Sequence, residues 1–244
     1  MKKLDRENKE LWSPFLSDLR EEILTKGLLT EYTEKIKKNK KKEDGHTHAQ
    51  SYVDYLIDNV FPSCETINKY GFDIIIPRND RDHGDFHLVD SESKTIIKCN
   101  GKLGTAKKLS HPNVCAITRA FDYLSENSLP YLIFKLRLYK GEYRLEIFDL
   151  YNNMDVITYD DGPGQLMIKE KKFYEKKEFK YLKTLDVLRY LLHINEIAFE
   201  NLVKQRQKKL NKHKEMLIKY ESNQVQEGQE KTIGSVHDTR EFGH

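Results

Sequence analysis

The chain holds no apolar run approaching the ~18 residues that a membrane-crossing helix requires, and its amino terminus has no signal-peptide core. Its three cysteines, Cys64, Cys99 and Cys115, are odd in number and share no short paired spacing. That excludes a disulfide framework and a zinc module of the usual kind, and makes a reducing cytoplasm the expected setting. The glycine-rich turn Asp160-Asp161-Gly162-Pro163-Gly164 lacks the Gly-Lys-Ser/Thr ending of a phosphate-cradling loop. No internal repeat is present, so a solenoid is excluded as well.

What is present argues for a folded core with a well-solvated surface: 38% apolar residues, including 11 Phe and 14 Tyr, against 33% charged ones. The net charge of +3 is small, because 42 Lys and Arg face 39 acids, but the bases gather in blocks at 35–42, 169–180 and 204–214. Each block reads equally as a solvated face or as a surface for an anionic polymer.

Periodicity divides the 244 residues into one domain and its appendages. Residues 1–45 form a helical region and a basic linker, with Leu11, Phe15, Leu19, Ile23 and Leu24 on one apolar face and Pro14 in the first turn behind a Ser13 cap. A second helical pattern runs over 47–70 through Tyr52, Val53, Leu56, Ile57, Val60 and Phe61, and Pro62 interrupts it. A short strand follows over 72–77. Residues 114–124 read as a short helix; 131–139 and 144–150 form a hairpin that extends a central sheet and carries no chemistry. From 181 to 220 Leu182, Leu185, Leu188 and Leu192 begin a long helix, whose second half projects toward DNA or another subunit. The expected fold is thus α+β: a central mixed sheet flanked by helices over 46–221, ending in that helix, with 222–244 as an unstructured tail.

The most informative stretch lies between these elements. Residues 84–89 and 95–102 are two β-forming runs separated by a polar turn, and so predict a hairpin. Strand side chains alternate between faces, so Asn100 and Lys102 point the same way, and the hairpin return brings Asp85 beside them. A carboxylate, an amide oxygen and an ammonium then share one surface.

In these residues the chain resembles the PD-(D/E)xK nucleases, in particular the type II restriction endonucleases of the EcoRV and HincII kind. The likeness spans roughly 50–205, and its specific part is this one short motif. Gly84 stands where the family has proline, and Asn100 where it has its second acid. The resemblance implies a restriction-endonuclease-like fold and sequence-specific, Mg²⁺-dependent cleavage of double-stranded DNA by a homodimer, with Mn²⁺ able to substitute. It implies Asp85, Asn100 and Lys102 as catalytic residues. The metal ligands would be Asp85, the Asn100 amide oxygen, the Gly101 main-chain carbonyl and Asp54 on the preceding helix, with Asp58 on nearly the same face and Asp82 as a fallback. An amide supplies an oxygen without charge, so the ion would be held more weakly. Lys107, Lys108 and Arg119 are the candidate phosphate contacts, and Gln165 the candidate groove contact. His83 and His87 have no further ligands at metal spacing.

Three accounts of Asn100 stand open: a natural variant that recruits another acid such as Asp54 or Asp82, a binding protein without catalysis, or an engineered change. A register in which Lys98 and Asn100 take the acid and lysine places would remove both key groups. Outside the nuclease reading stand a nucleic-acid-binding protein that uses the basic blocks, and an interaction protein assembled through its terminal helices.

Overall fold

The computed structural model describes residues 3–39, 45–77, 84–104, 111–140, 142–160, 164–176 and 181–236, with the side chains of 39, 45–49 and 223–236 set aside. Its centre is a five-stranded mixed sheet in the order β1-β2-β3-β5-β6. β1 (Phe72–Ile75), β2 (Phe86–Asp90) and β3 (Ile96–Gly104) form an antiparallel meander. β3 then runs parallel to β5 (Leu132–Tyr139), which turns back into β6 (Glu142–Asp149). The parallel step needs a crossover, and α5 (Ile117–Asn127) supplies it. α5 buries Ile117, Ala120, Tyr123 and Leu124, one helical stripe, and ends where Ser128 enters the left-handed region at φ 53°.

One face of the sheet carries Phe86 and Phe134, whose rings meet Phe61 edge-on or tilted at 4.9–5.6 Å. Each such ring pair adds about 0.5–1.5 kcal/mol to the burial itself. The helices on this face come from the first third of the chain. α1 (Lys9–Thr25) buries Trp12, Phe15, Leu19 and Ile23, and Trp12 stacks on Phe72. It stops at Gly27, whose φ of 64° allows Leu28 N–H to donate to Ile23 O (3.1 Å) and Gly27 N–H to Leu24 O (3.1 Å), the paired closure that suits glycine. α2 (Thr30–Asn39) and α3 (Gly45–Tyr55) follow. α3 passes into a π-helical turn at Leu56–Val60 and a 3₁₀ turn at Phe61–Ser63, and α4 (Glu65–Lys69) completes the set.

The other face of the sheet is covered by α5 and by a second, three-stranded sheet in the order β4-β8-β7. This sheet comprises β4 (Asn113–Ala116), β7 (Ile157–Asp160) and β8 (Gln165–Ile168), and α6 (Glu170–Glu175) follows it. α7 (Thr184–Val236) packs its first turns on α5 and β7. No helix among the described residues is long and apolar enough to cross a membrane.

The α+β class, the two hairpins and the long last helix are as the periodicity predicts; several boundaries are not. α1 begins at Lys9, a full turn before Ser13, so Pro14 lies inside the helix and Ser13 caps nothing. Trp12 explains it: its buried ring and its Nε1–H bond to Asp5 O (3.0 Å) hold a turn in place that local propensity would not start. Leu24, expected on the apolar face, is 45% exposed. Residues 35–39 of the expected linker are helical, because Tyr32 and Ile36, one turn apart, both bury into the core. The expected helix at 114–124 is a strand up to Ala116 and a helix only from Ile117, since Asn113 and Ala116 pair with Met167 and Gln165 of the second sheet, with an irregularity between them. α7 continues to Val236, past the predicted end near Tyr220; residues 237–244 lie outside the described residues.

Candidate functional site

The β2–β3 pairing places Phe86 opposite Cys99, so Asp85 falls opposite Asn100. The main chain makes this junction rigid. Asp85 N–H donates to Cys99 O (2.8 Å) and to Asn100 Oδ1 (3.0 Å), and Gly101 N–H donates to Asp85 Oδ2 (2.8 Å). Asp85 is half-buried, and its Oδ1 has no hydrogen-bonding partner among the described residues. The hairpin thus holds a carboxylate by one oxygen and leaves the other open.

Asn100 is engaged at both ends of its amide. Its Oδ1 accepts from Asp85, and its Nδ2 donates to Val114 O in β4 (2.8 Å). One end meets an N–H and the other a carbonyl, which settles the amide's orientation. At 6% exposure it acts as a clamp between the hairpin and the second sheet. A carboxylate here would set an oxygen against Val114 O, so the amide is the side chain the site is built around.

Gly101 and Gly104 are tied to the site by packing from opposite sides. A Cβ on Gly101 would stand 2.7 Å from Val53 Cγ2, and one on Gly104 would collide with the Arg137 side chain. Val53 and Tyr52 are therefore the residues of α3 that meet the hairpin at Gly101. Asp54 beside them is exposed and accepts from Gln50 Nε2 (2.9 Å). Asp58 is exposed too. Among the described residues no group of three His, Cys, Asp or Glu comes together, so no cage of acids is formed there.

Lys102 lies two residues beyond Asn100 on the same face, half-exposed, and makes no hydrogen bond or ion pair with the described residues. Its charge and that of Arg119 both reach Cys115: burial pushes this thiol up to about 12, and the two cations pull against that rise. Arg119 is exposed in the first turn of α5. Gln165 opens β8 opposite Ala116, and Ile117 N–H donates to Gly164 O (2.9 Å), which brings this turn to the start of α5. Asp85, Asn100, Lys102, Arg119 and Gln165 are thereby gathered around the β3–β4–α5 junction, while Asp54 sits with α3 on the other face of the sheet. Lys107, Lys108, Asp82 and His83 lie outside the described residues. His87 is buried in β2 at 3% exposure, a core residue.

A scan against models of known protein families matches none, and a search of curated proteins returns no relative.

The periodicity missed the strongest polar feature of this face. Lys135, register partner of Lys102 on β5, is 1% exposed, and its Nζ donates to Glu170 Oε1 (2.6 Å) and Tyr174 OH (2.9 Å). Arg137 Nε lies 3.4 Å from Glu170 Oε2. Burial pulls the Lys135 pKa down, against the attraction of Glu170. Lys135 and Arg137 alternate with Phe134 and Leu136 and so resemble a solvent-facing row; only α6, which delivers Glu170 and Tyr174, shows that the row is covered. The alternation of bases along a strand expected to extend the central sheet was the available signal.

Proposed function

We propose that the chain is a metal-dependent, sequence-specific endonuclease for double-stranded DNA, of the type II restriction kind that its hairpin resembles. The observation that carries the reading is the locking of Asp85 onto the main chain at Asn100 and Gly101, with one carboxylate oxygen left open and the uncommitted Lys102 on the same face. An acid leading into one strand and an x-x-Lys triplet late in its antiparallel neighbour is the order the resemblance requires.

Mg²⁺, with Mn²⁺ as substitute, belongs to the proposal. Magnesium keeps several waters and is held by one or two carboxylates together with substrate phosphates, so a single open oxygen, Asp85 Oδ1, fits it loosely. When bound, such an ion supplies an activated water and neutralises phosphate charge. The rest falls to side chains. Lys102 sets a compact cation against the charge that develops on the scissile phosphate. Asn100 fixes the carboxylate by holding the Asp85 main chain. Arg119, Lys107 and Lys108 contact the DNA backbone, and Gln165, on the turn beside α5, reaches base edges. A two-fold dimer would present one such site to each antiparallel strand, in the cytoplasm where a restriction activity works.

One observation favours a second reading, a nucleic-acid-binding protein of the same fold with little catalysis: the place of the second acid is closed by the Asn100 clamp. Digestion of long DNA with Mg²⁺ or Mn²⁺, followed by sequencing of the fragment ends, separates the two. A nuclease yields ends at one sequence and loses them in Asp85→Ala. Salt-sensitive DNA binding without cutting selects the second reading. Neither binding nor cutting across a pooled-sequence library rejects both.

A further inference from the structure

α7 carries two apolar stripes, and the fold uses one. Val187, Leu191, Ile194 and Ala198 are buried against the body. Beyond Ala198 the helix leaves it, and no residue from 199 to 222 is buried. Along the outer side, Leu185, Leu192 and Phe199 recur every seven residues. Val203, Leu210 and Leu217 continue at the same interval from four residues further on. These six are 48–66% exposed, and Tyr220, three beyond the last, is 64% exposed. Alternating steps of three and four make the seam of a two-stranded coiled coil, which keeps facing its partner only if the partner has the same period.

We propose that this seam pairs with the same seam of a second copy of the chain, and that the two helices run antiparallel. The charges decide the orientation. In a parallel pair, Arg206 would face Arg206 of the copy inside the seam, and Lys209 would flank Lys214. Antiparallel helices centred on Lys208 set Phe199 opposite Leu217, Val203 opposite His213 and Arg206 opposite Leu210. In that register Glu200 flanks Lys214 twice, and the half-exposed Leu202 meets Met216 twice. Lys209 against its own copy, on the wet edge, is the like-charged contact that remains. The overlap from Glu196 to Tyr220 is about 36 Å at 1.5 Å per residue, more than three heptads. The proposal stands apart from the nuclease reading, since nothing in it depends on DNA.

Sedimentation equilibrium of the full chain without DNA tests it. The expected result is a dimer, with a dissociation constant about a hundredfold weaker in Leu210→Lys, where an ammonium is set against Arg206 of the copy in both central layers. Circular dichroism and melting of that variant at monomer concentrations stay unchanged, because the Leu210 side chain lies outside the folded body. Ile218→Lys, 61% exposed but off the seam, leaves association as it was. A chain that stays monomeric, a dimer indifferent to Leu210→Lys, or equal weakening by Ile218→Lys would overturn the interface. Glu200→Lys and Lys214→Glu should each weaken the dimer and together restore it; failure of the double variant would overturn the antiparallel register.

Discussion

Lys102 and Lys135 are register partners on adjacent parallel strands and share a face of the same sheet, yet they are opposite in kind. Lys135 is sealed beneath α6, with Glu170 at 2.6 Å and a tyrosine hydroxyl at 2.9 Å. Lys102 is half-exposed and uncommitted. Removing an ammonium from water costs several kcal/mol, which only close partners offset; Lys135 is therefore committed to holding the fold. Charge density alone would point to the Lys135 cluster as the site. Uncommitted bonding capacity points instead to Asp85 and Lys102.

The comparison can be broken from either side, starting with the largest effect. Glu170→Gln should destabilise the protein by about 3–5 kcal/mol, because it leaves Lys135 and Arg137 buried without their counter-charge; urea unfolding reads this directly. Lys102→Met should change stability by no more than about 0.5 kcal/mol, yet lower the cleavage rate about 10²–10³-fold, the size of effect seen when one charge-stabilising group is removed. If Lys102→Met unfolds the protein, or Glu170→Gln leaves its stability unchanged, the division of labour between the two lysines is wrong.

Asn100→Asp probes the clamp between those extremes. A carboxylate oxygen would face Val114 O where Nδ2 now donates, at a cost of about 1–3 kcal/mol. The repulsion holds the new carboxyl protonated in the folded state and so raises its folded pKa above the unfolded one. The variant should accordingly lose stability relative to Asn100 as the pH rises through that folded value. A loss that stayed constant with pH would argue against the clamp.

The smallest effect sharpens the contrast with Asp85. Glu22 accepts from Lys26 Nζ (2.7 Å), Glu65 N–H (2.8 Å) and Thr66 N–H (2.9 Å), joining α1 to α4. Burial works to raise its pKa, but these donors together bring it down from 4.5 to about 2. Because the folded value lies below the unfolded one, its stabilisation is complete above about pH 4.5 and lost as the pH falls through about 2. Glu22→Gln should therefore lower the Tm at pH 7 and match the parent near pH 2. Asp85, held by a single N–H, is the acid with capacity to spare.

The hairpin was legible because alternation is local: the runs at 84–89 and 95–102 set the strands, and the face shared by Asn100 and Lys102 follows from a period of two. The start of α1 was not, since Trp12 anchors a turn by packing on Phe72, far along the chain. Nor was the Asn100 clamp, whose second partner belongs to a strand, β4, that is four residues long and pairs only within the second sheet.

By itself the sequence determined the kinds of element, the hairpin around Asp85 and the long last helix, because periodicity and turn chemistry act between near neighbours. Tertiary structure alone decided which charges are spent and which stay open. Whether a lysine on a strand meets a glutamate or water depends on what folds over it, and α6, which covers Lys135 and not Lys102, is brought there from residues 170–175.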